Sequence, residues 1–418
     1  MATARHLLGN RTFLLLLVAA LFMHIAIFLV TPIFPIFLEK ARHLHASQIG
    51  FILAIASLMY QIGSLIGGFL CDRVSRKLVM VSGAAIQACA MFGYSVSQTF
   101  LLFMLFSALN GSGMGLLAPA IKAKIADGVK QEDRTTAFSW RGIAANIGII
   151  IGGLTVTLLA LSTNRLVFIY AAGVYILLTF FLLFTLPKAR QETTKKDSLS
   201  WSQYKRLLDH RSFLFFCLVS LLVWGLYAQF PLVVPLRGQH IMGTGAKVGL
   251  IWTINSTFVV LFQGVITRYI LEKISPYWAM VSGTLFLGAG LFAMGFAHQF
   301  WTFSAAAVVF IIGEMLAVPV FDSLVGHFAK PPLLGAYYGI GNVVTGISGA
   351  IGNAVGGYMI ESLGGIGSMR PWYMYGIITL ISVAILTAFA IYANARHKKR
   401  ALPHLYNQKR SVHDEFFN

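Results

Sequence analysis

The sequence predicts an all-α integral membrane protein whose twelve transmembrane helices form two pseudo-symmetric six-helix bundles. Three observations support this prediction: few charged residues, twelve long apolar segments and an internal repeat. Of the 418 residues, 57% are hydrophobic and 11% are charged. Soluble domains carry about 25% charged residues, so this chain has less than half the charge that a water-exposed surface normally uses.

Apolar segments of roughly 20 residues or more recur along the chain, and each is long enough to cross a ~30 Å hydrocarbon core. They lie at residues 12–38, 47–71, 77–96, 99–126, 135–161, 165–186, 212–236, 246–271, 277–297, 300–328, 335–360 and 371–394. Most connections are short, and the exception is rich in lysine and arginine. We therefore predict an N-terminal bundle, a linker, a C-terminal bundle and a tail, at residues 1–186, 187–211, 212–394 and 395–418.

The distribution of positive charge predicts the orientation in the membrane. Twelve spans place both termini on one side, and that side holds 23 of the 32 lysines and arginines, against 6 on the other side and 3 within spans. By the positive-inside rule both termini are cytoplasmic, in a multi-pass protein of the cell membrane. Topology thus explains the net charge of +18, and we expect no nucleic-acid partner.

The two halves of the chain resemble each other at an offset of 200 residues. The tetrapeptide Met-Val-Ser-Gly occurs at 80–83 and again at 280–283, and three further matches share the offset: Pro35 with Pro235, Gly113 with Gly313, and Pro119 with Pro319. Parallel six-helix repeats are a transporter architecture, with the substrate site between the halves near the middle of the membrane. We therefore expect a small-molecule substrate in a central cavity that opens alternately to each side.

A motif after the second apolar segment identifies a family. Residues 68–77 read GFLCDRVSRK, which resembles the signature G-x-L-a-D-R-x-G-R-K between helices 2 and 3 of the major facilitator superfamily, with a serine at the second glycine. The resemblance covers nearly the whole chain and implies the twelve-helix fold. It also implies gating roles at the cytoplasmic side for four residues of the motif, which are Asp72, Arg73, Arg76 and Lys77.

Further motifs resemble the multidrug and metabolite proton antiporters of that superfamily. Residues 313–319 read GEMLAVP, like the G-E-x-x-x-x-P pattern of some exporters, and Arg141 and Asn146 follow a similar connection before the fifth helix. This resemblance implies proton-coupled export of a drug or metabolite, a siderophore being one candidate, by a monomer that needs no cofactor except the proton gradient. Gly152-Gly153 replaces the Gly-Pro of the antiporter motif, which leaves a proton-coupled uptake symporter as the alternative.

Two acidic residues lie well inside a predicted span, Glu314 and Asp322. Ionisable groups in a membrane are expensive and tend to be functional. A carboxyl that has lost its water takes up a proton more readily, so we interpret Glu314 as a proton-coupling residue; the alternative is a structural carboxyl hydrogen-bonded between helices. Asp322 lies eight residues further on, about 12 Å along the helix, and joins Glu314 as the second proton-coupling candidate.

Three basic residues also lie within spans, and two of them suggest roles. Lys122 corresponds to Asp322 at the offset of 200, so the two can form a gating ion pair; the alternative is that Lys122 extends to the lipid headgroups. For Arg141 we weigh three roles: binding an anionic substrate group, pairing with Asp322, or a structural pair with Asp127. Glu314 suits cationic drugs, whereas Arg141 and Lys122 suit carboxylate-bearing metabolites.

Several single polar residues complete the predicted cavity. His24 lies in the first helix, Asn146 in the fifth, and Tyr227 and Gln229 lie just before a Phe-Pro bend in the seventh. For His24, hydrogen-bonded packing is the alternative to a proton relay. These polar side chains can face a substrate only if their helices turn them towards the space between the halves.

The sequence disfavours other classes of function. Cys71, Cys89 and Cys217 are scattered singly, which predicts neither disulfides nor a metal site. No phosphate-binding G-x-x-x-x-G-K-[ST] sequence supports an ATP-driven pump, and no repeated filter loop supports a channel. A membrane-embedded enzyme is disfavoured as well, because neither HExxH nor a G-x-S-x-G elbow occurs in the spans. We therefore expect a transporter and not an enzyme.

Overall fold

The structure is a computed structural model that describes residues 7, 9–130, 133–161, 163–186, 209–245, 247–329 and 333–416. Of these, residues 72, 135, 334–336 and 394–416 are described as backbone only. The predicted linker therefore lies outside the described residues except for 209–211. The boundaries proposed for the two bundles stay a prediction.

Twelve helices in the described chain are long and apolar enough to cross a membrane. They are α1 Arg11–Ala41, α2 Ala46–Cys71, α3 Arg76–Val96, α4 Phe100–Asp127, α5 Thr136–Leu158, α6 Leu166–Thr185, α7 Arg211–Met242, α8 Val248–Leu271, α9 Pro276–Phe296, α10 Phe300–Phe328, α11 Tyr337–Ser362 and α12 Arg370–Ala393. No strand occurs among the described residues. The predicted fold class is thus confirmed. Its physical reason is that helices satisfy their own backbone hydrogen bonds where lipid offers none.

The first helix of each half is interrupted near its middle. Helix α1 leaves helical geometry at residues 31–33, and α7 does so at residues 228–229. Pro231 follows the second break, within the first turn of the segment Phe230–Met242, where a missing N–H is tolerated. Because Pro231 cannot donate, the carbonyl of Tyr227 four residues earlier loses its usual helical partner.

The order in which helices pack repeats between the halves. Helix α1 packs on α5, α2 on α4, and α3 on α4 and α6; in the second half α7 packs on α11, α8 on α10, and α9 on α10 and α12. A matched pair of glycine contacts shows the same repeat. A β-carbon at Gly83 would lie 2.8 Å from the Gly113 carbonyl oxygen, and one at Gly283 would lie 3.0 Å from that of Gly313. Small residues at these points let the helix backbones touch.

The two halves meet mainly through α2 against α11 and α5 against α8. We call the membrane side of the two chain termini the termini side and the other side the distal side. Gly50 contacts Gly357 and Gly153 contacts Gly249, near the distal ends of their helices. Since these backbones leave no room for a solute between them, the pathway between the halves is closed on the distal side.

We predict that a large side chain at Gly153 opens the distal seal. A β-carbon there would already lie 2.6 Å from the Gly249 carbonyl oxygen, so Gly153→Leu forces α5 and α8 apart. Spin labels on cysteines introduced at Asn164 and Lys247, which flank these helix ends, should give longer distances in double electron–electron resonance than in the parent.

The control is Gly173→Leu in α6, where a β-carbon meets no atom within 4 Å. Both variants are made in a background from which the three native cysteines have been removed. Unchanged label distances in Gly153→Leu would contradict the seal, and so would an equal lengthening in Gly173→Leu.

Candidate functional site

Three adjoining cavities lie between the halves at the middle of the membrane. Their volumes are about 410, 360 and 150 Å³, and Pro231 lines all three. Helices of both halves contribute walls, chiefly apolar and aromatic with a few polar groups. A space of this size and lining matches a site for a small molecule, for which pockets of ~300–1,000 Å³ are usual.

Glu314 supplies the one carboxyl among the residues that line these cavities. It stands at the centre of α10, fourteen residues from either end. The hydroxyl of Tyr227 donates to its Oε1 at 3.3 Å. A charge at this depth costs about 2.5–3.5 kcal/mol on insertion scales. Ionisable residues at such a position therefore tend to be functional.

The largest of the three cavities brings together three of the predicted site residues. Glu314, Tyr227 and Asn146 all line it, from α10, α7 and α5 respectively. The Asn146 Nδ2 donates to the Gly142 carbonyl within its own helix, at 2.9 Å. The Tyr227 ring stacks on Phe310 with centroids 6.2 Å apart. Both halves thus supply polar groups to the same space.

Asn255 of α8 is a polar cavity residue that sequence reasoning missed. It lines the largest cavity, is 3% exposed, and its Oδ1 and Nδ2 both lack a hydrogen-bond partner within the described protein. Leaving such a group unpaired costs roughly 1–3 kcal/mol. An asparagine within an apolar span is the sequence feature that could have identified Asn255 as a cavity residue. Its counterpart at the offset of 200 is Ile55, so the repeat does not point to a polar position.

Gln229 corrects one placement made from the sequence. The side chain is buried and does not line the central cavities. Its Nε2 donates to the Gly352 carbonyl at 2.7 Å, and its Oε1 accepts from the Tyr375 hydroxyl at 2.9 Å. Gln229 therefore fastens the break in α7 to α11 and α12, because a helix break in lipid needs neighbouring groups to satisfy it.

His24 packs within the N-terminal half and lies outside the three cavities. Its Nδ1 donates to the Ala20 carbonyl at 2.7 Å, and its β-carbon contacts the face of α5 at Gly148. His24 also interacts electrostatically with Arg141 and Lys122. The packing interpretation of the sequence thus accounts for the ring's position.

Lys122 and Asp322 face each other on the termini side of the cavity. Both side chains are exposed, and each interacts electrostatically with the other. No ion pair within 4.0 Å joins them in the described chain. The open separation fits a pathway that is closed on the distal side and accessible from the termini side.

The basic residues of the 68–77 motif tie the helix ends of the N-terminal half together. Arg76 forms an ion pair with Asp127 and donates to the Ala123 carbonyl at 2.7 Å. Lys77 donates to the carbonyl of Leu186, at the end of α6. These contacts join the start of α3 to the ends of α4 and α6.

The remaining charged residues of interest are Asp72 and Arg73 of the motif, and Asp127, which the sequence suggested as a partner of Arg141. Arg73 lies over the ring of Phe69, 4.1 Å from its centroid, whereas the side chain of Asp72 lies outside the described residues. Asp127, one suggested partner of Arg141, is paired with Arg76 instead. Among the described residues, no cluster of three or more His, Cys, Asp or Glu could hold a metal ion.

Comparison with known proteins gives related sequences over nearly the whole chain. The uncharacterized MFS-type transporter YqjV of Bacillus subtilis is 26% identical over 391 residues, covering 90% of this chain and 92% of that protein. Multidrug resistance protein MdtH of Photorhabdus laumondii is 24% identical over 360 residues, covering 86% and 89%. A Na⁺, Li⁺, K⁺/H⁺ antiporter of Planococcus maritimus is 26% identical, covering 91% and 95%.

Solved structures and a family profile agree with these relatives. The nucleoside transporter NupG superposes with a TM-score of 0.76 at 16% identity, covering 91% of this chain and 99% of that one. A POT family transporter superposes with a TM-score of 0.74, covering 92% and 96%. The profile of the Major Facilitator Superfamily matches residues 16–269 and 233–409. The chain is therefore a transporter, not an enzyme, and belongs to the major facilitator superfamily.

Proposed function

We propose that the chain is a proton-coupled secondary active transporter that exports a small drug-like molecule or a metabolite, a siderophore being one candidate. One observation carries the proposal: a carboxyl, that of Glu314, stands at the middle of the membrane in the wall of the central cavity. A group there can meet both the substrate and a proton in turn. The remaining polar wall, which includes Asn146 and Tyr227, contacts the substrate.

Coupling requires that Glu314 and the substrate site be loaded from opposite sides of the membrane. When the cavity opens to the distal side, Glu314 takes up a proton, and when it opens to the termini side, the proton is released as substrate binds. The Tyr227 hydroxyl, 3.3 Å from Oε1, stabilises the charged form during the exchange. A carboxylate left without water would otherwise be too costly to persist in the span.

The termini side closes through opposite charges on the symmetry-related helices α4 and α10. Lys122 and Asp322 stand at equivalent positions of the repeat, and each already interacts electrostatically with the other across the open pathway. Bringing the halves together on this side shortens their separation to an ion pair. Asp322, like Glu314, then also senses the proton, because protonation of its carboxyl removes the attraction.

The 68–77 motif keeps the N-terminal half rigid while the pathway opens and closes. Arg76 and Lys77 fix the start of α3 to α4 and α6. In this proposal Asp72 and Arg73 form the part of the gate that changes contacts between states. Since the motif lies on the termini side, it acts together with Lys122 and Asp322 on the same opening.

The direction of transport and the location rest on similarity and charge distribution. Relatives at 24–26% identity include a protein named for multidrug resistance and a cation/proton antiporter. The excess of basic residues places the termini in the cytoplasm, in a cell membrane whose lipid surrounds a monomer. Its partners are the substrate and protons, and it needs no cofactor beyond the proton gradient.

A proton-coupled uptake symporter is the second candidate. The observation that favours it is Gly153, which stands where the antiporter motif has proline and packs directly on Gly249. The same cavity and carboxyl would serve a symporter, with the proton and the substrate travelling in the same direction. An imposed pH gradient separates the two candidates, because it drives the substrate in opposite directions.

We predict that Glu314→Gln abolishes transport driven by a pH gradient, because an amide cannot carry a proton. Candidate substrates come from a toxicity screen of drugs and metabolites in a deletion strain. In inside-out vesicles with an acid interior, the wild-type exporter should accumulate labelled substrate, and Glu314→Gln should fall to the level of vesicles without the protein. Exchange of labelled for unlabelled substrate should persist in the variant.

The matched control is Glu272→Gln, which removes an exposed acid beyond the end of α8 and should leave accumulation intact. Full pH-driven accumulation in Glu314→Gln would refute the coupling role. Expulsion of substrate from acid-loaded vesicles by the wild type would instead establish the symporter.

We also predict that exchanging the charges of Lys122 and Asp322 restores transport. Lys122→Asp places two acids together and Asp322→Lys places two bases together, so either single variant should fail to close the termini side. The double variant recovers the attraction, and most of the wild-type accumulation should return in the same vesicle assay.

A second double variant, Lys124→Asp with Asp322→Lys, controls for a simple balance of net charge. Lys124 lies on α4 as well but interacts with Arg76 rather than with Asp322. Absence of rescue in the Lys122 pair would favour the alternative in which Lys122 only reaches towards headgroups. Equal rescue by the Lys124 pair would also count against a specific gate.

A further inference from the structure

Arg141 is a half-buried cation whose inner nitrogen has no protein partner. It lies on α5 five residues before Asn146, about 7.5 Å nearer the termini side. Its Nε is buried and has no hydrogen-bond acceptor within the described protein. Its guanidinium forms no ion pair with a described acid. A partly desolvated guanidinium with a free donor is a strong recognition element for a carboxylate or phosphate oxygen.

Arg237, another arginine within a span, shows what a structural arginine looks like in this protein. It is 4% exposed and donates to the carbonyl oxygens of Met294, Gly295, Ala297 and Ile366, at 2.7–3.4 Å. Its guanidinium also lies 5.3 Å from the centroid of the Trp372 ring. The fold therefore supplies hydrogen-bond acceptors to all three nitrogens of this structural arginine. Arg141 receives no such set of acceptors.

Lys122 places a second positive charge near Arg141 instead of neutralising it. Lys122 of α4 and His24 of α1 both interact electrostatically with it. Tyr60 of α2 interacts with it as well. Asp322 belongs to the opposite half; it interacts electrostatically with Lys122 but forms no ion pair within 4.0 Å. We name Lys122 and Arg141, with His24 and Tyr60 beside them, the basic cluster.

The basic cluster adjoins the central cavity on its accessible side. Tyr60 itself lines the cavity of about 360 Å³, so the cluster begins where that wall ends. Its members come from α1, α2, α4 and α5, the helices of the N-terminal half that also line the cavities. A solute with an apolar body in the cavity can therefore extend a charged group to Arg141.

We propose that the basic cluster is a subsite for the anionic group of the substrate, a carboxylate, phosphate or sulfonate, and that the transported solutes are small amphipathic organic anions. This rests on the proposed function as a carrier and names its substrate class. Arg141 binds the anionic oxygens directly, and Lys122 adds a second contact. The apolar body of the solute lies against the aromatic wall of the cavity.

Asp322 then acts as the competitor of the substrate anion. While the termini side is open, Lys122 is free of the aspartate and can hold the solute. As that side closes, the carboxylate of Asp322 approaches Lys122 and takes the place of the solute's anion. The solute is thereby released towards the distal side, and the same ion pair that closes the pathway lowers the affinity.

Equilibrium dialysis of the full chain in nanodiscs tests this proposal with three probes of one shape. Naphthoate is an anion, naphthamide is its neutral isostere and naphthamidine is a cation, and binding to empty nanodiscs is subtracted. The wild type should bind naphthoate at least about tenfold more tightly than naphthamide, as expected for a charge-assisted contact. Arg141→Gln should lose that preference while its affinity for naphthamide is unchanged, and Arg141→Lys should keep part of it.

Lys122→Gln is the second variant and should reduce the preference as well, which keeps the test decisive if Arg141→Gln fails to fold. Lys124→Gln, on the same helix but outside the basic cluster, should retain the wild-type preference. The proposal is overturned if naphthamide or naphthamidine binds as tightly as naphthoate. It is also overturned if the preference for naphthoate survives in Arg141→Gln, or if Lys124→Gln loses that preference to the same degree. Where Arg141→Gln does not fold, survival of the preference in Lys122→Gln overturns the proposal. Because no pH gradient is applied, the outcome is independent of the Glu314 coupling test.

Discussion

The arrangement of this transporter depends on two close helix contacts on the distal side, α2 with α11 and α5 with α8. At Gly50 with Gly357, and at Gly153 with Gly249, backbone lies against backbone. The two contacts are related by the internal repeat, since α5 with α8 corresponds to α11 with α2. Among the described residues the closest backbone contacts between the halves lie on the distal side, and the space between them widens towards the other. The central cavities and the charged residues of the termini side follow from that geometry.

Charge within the spans is the second constraint, and the chain meets it in distinct ways. Arg237 is satisfied by carbonyl oxygens and an aromatic ring, so its cost is met within the fold. Glu314 has one hydrogen bond from a tyrosine, and Arg141 keeps an unpaired donor. A charge that the protein leaves incompletely paired in a membrane is available to a solute or a proton. On the roles proposed above, the degree of pairing separates structural from functional charges better than burial does.

Much of the fold could be predicted from sequence because lipid imposes a simple rule. Twelve long apolar runs have to be helices, and a repeat at a fixed offset has to reproduce the same packing, as Gly83 and Gly283 do. The seventh span was predicted to end at 236, whereas the helix continues to Met242. The polar residues after Pro235 end the apolar run but not the helix, since a helix passing into the interface no longer needs apolar side chains.

The candidate site was predictable in part: Glu314, Asn146 and Tyr227 line the cavity as expected, whereas Gln229 does not and Asn255 was missed. A carboxyl in an apolar helix stands out in any sequence, so Glu314 was found, while its hydrogen bond to Tyr227 needed the three-dimensional structure. Gln229 and Asn255 look alike in sequence, as single amides in apolar helices. One is fully bonded between helices and the other is unpaired in the cavity wall. Side-chain direction decides between them, and an all-apolar helix gives no periodic signal from which direction can be read.

The interruption of α7 has a consequence for how the cavity meets its solute. Pro231 lines all three cavities and deprives the Tyr227 carbonyl of its helical donor. In transporters, carbonyls freed at broken helices are ready acceptors for ions and polar groups. Tyr227, Ala228 and Pro231 all line the cavity of about 360 Å³, so in the proposed carrier this main-chain carbonyl is a candidate acceptor for the solute whatever side chain occupies position 227. Replacing side chains one by one would leave this acceptor in place, so a scan by substitution underestimates how polar the centre of the membrane is in this protein.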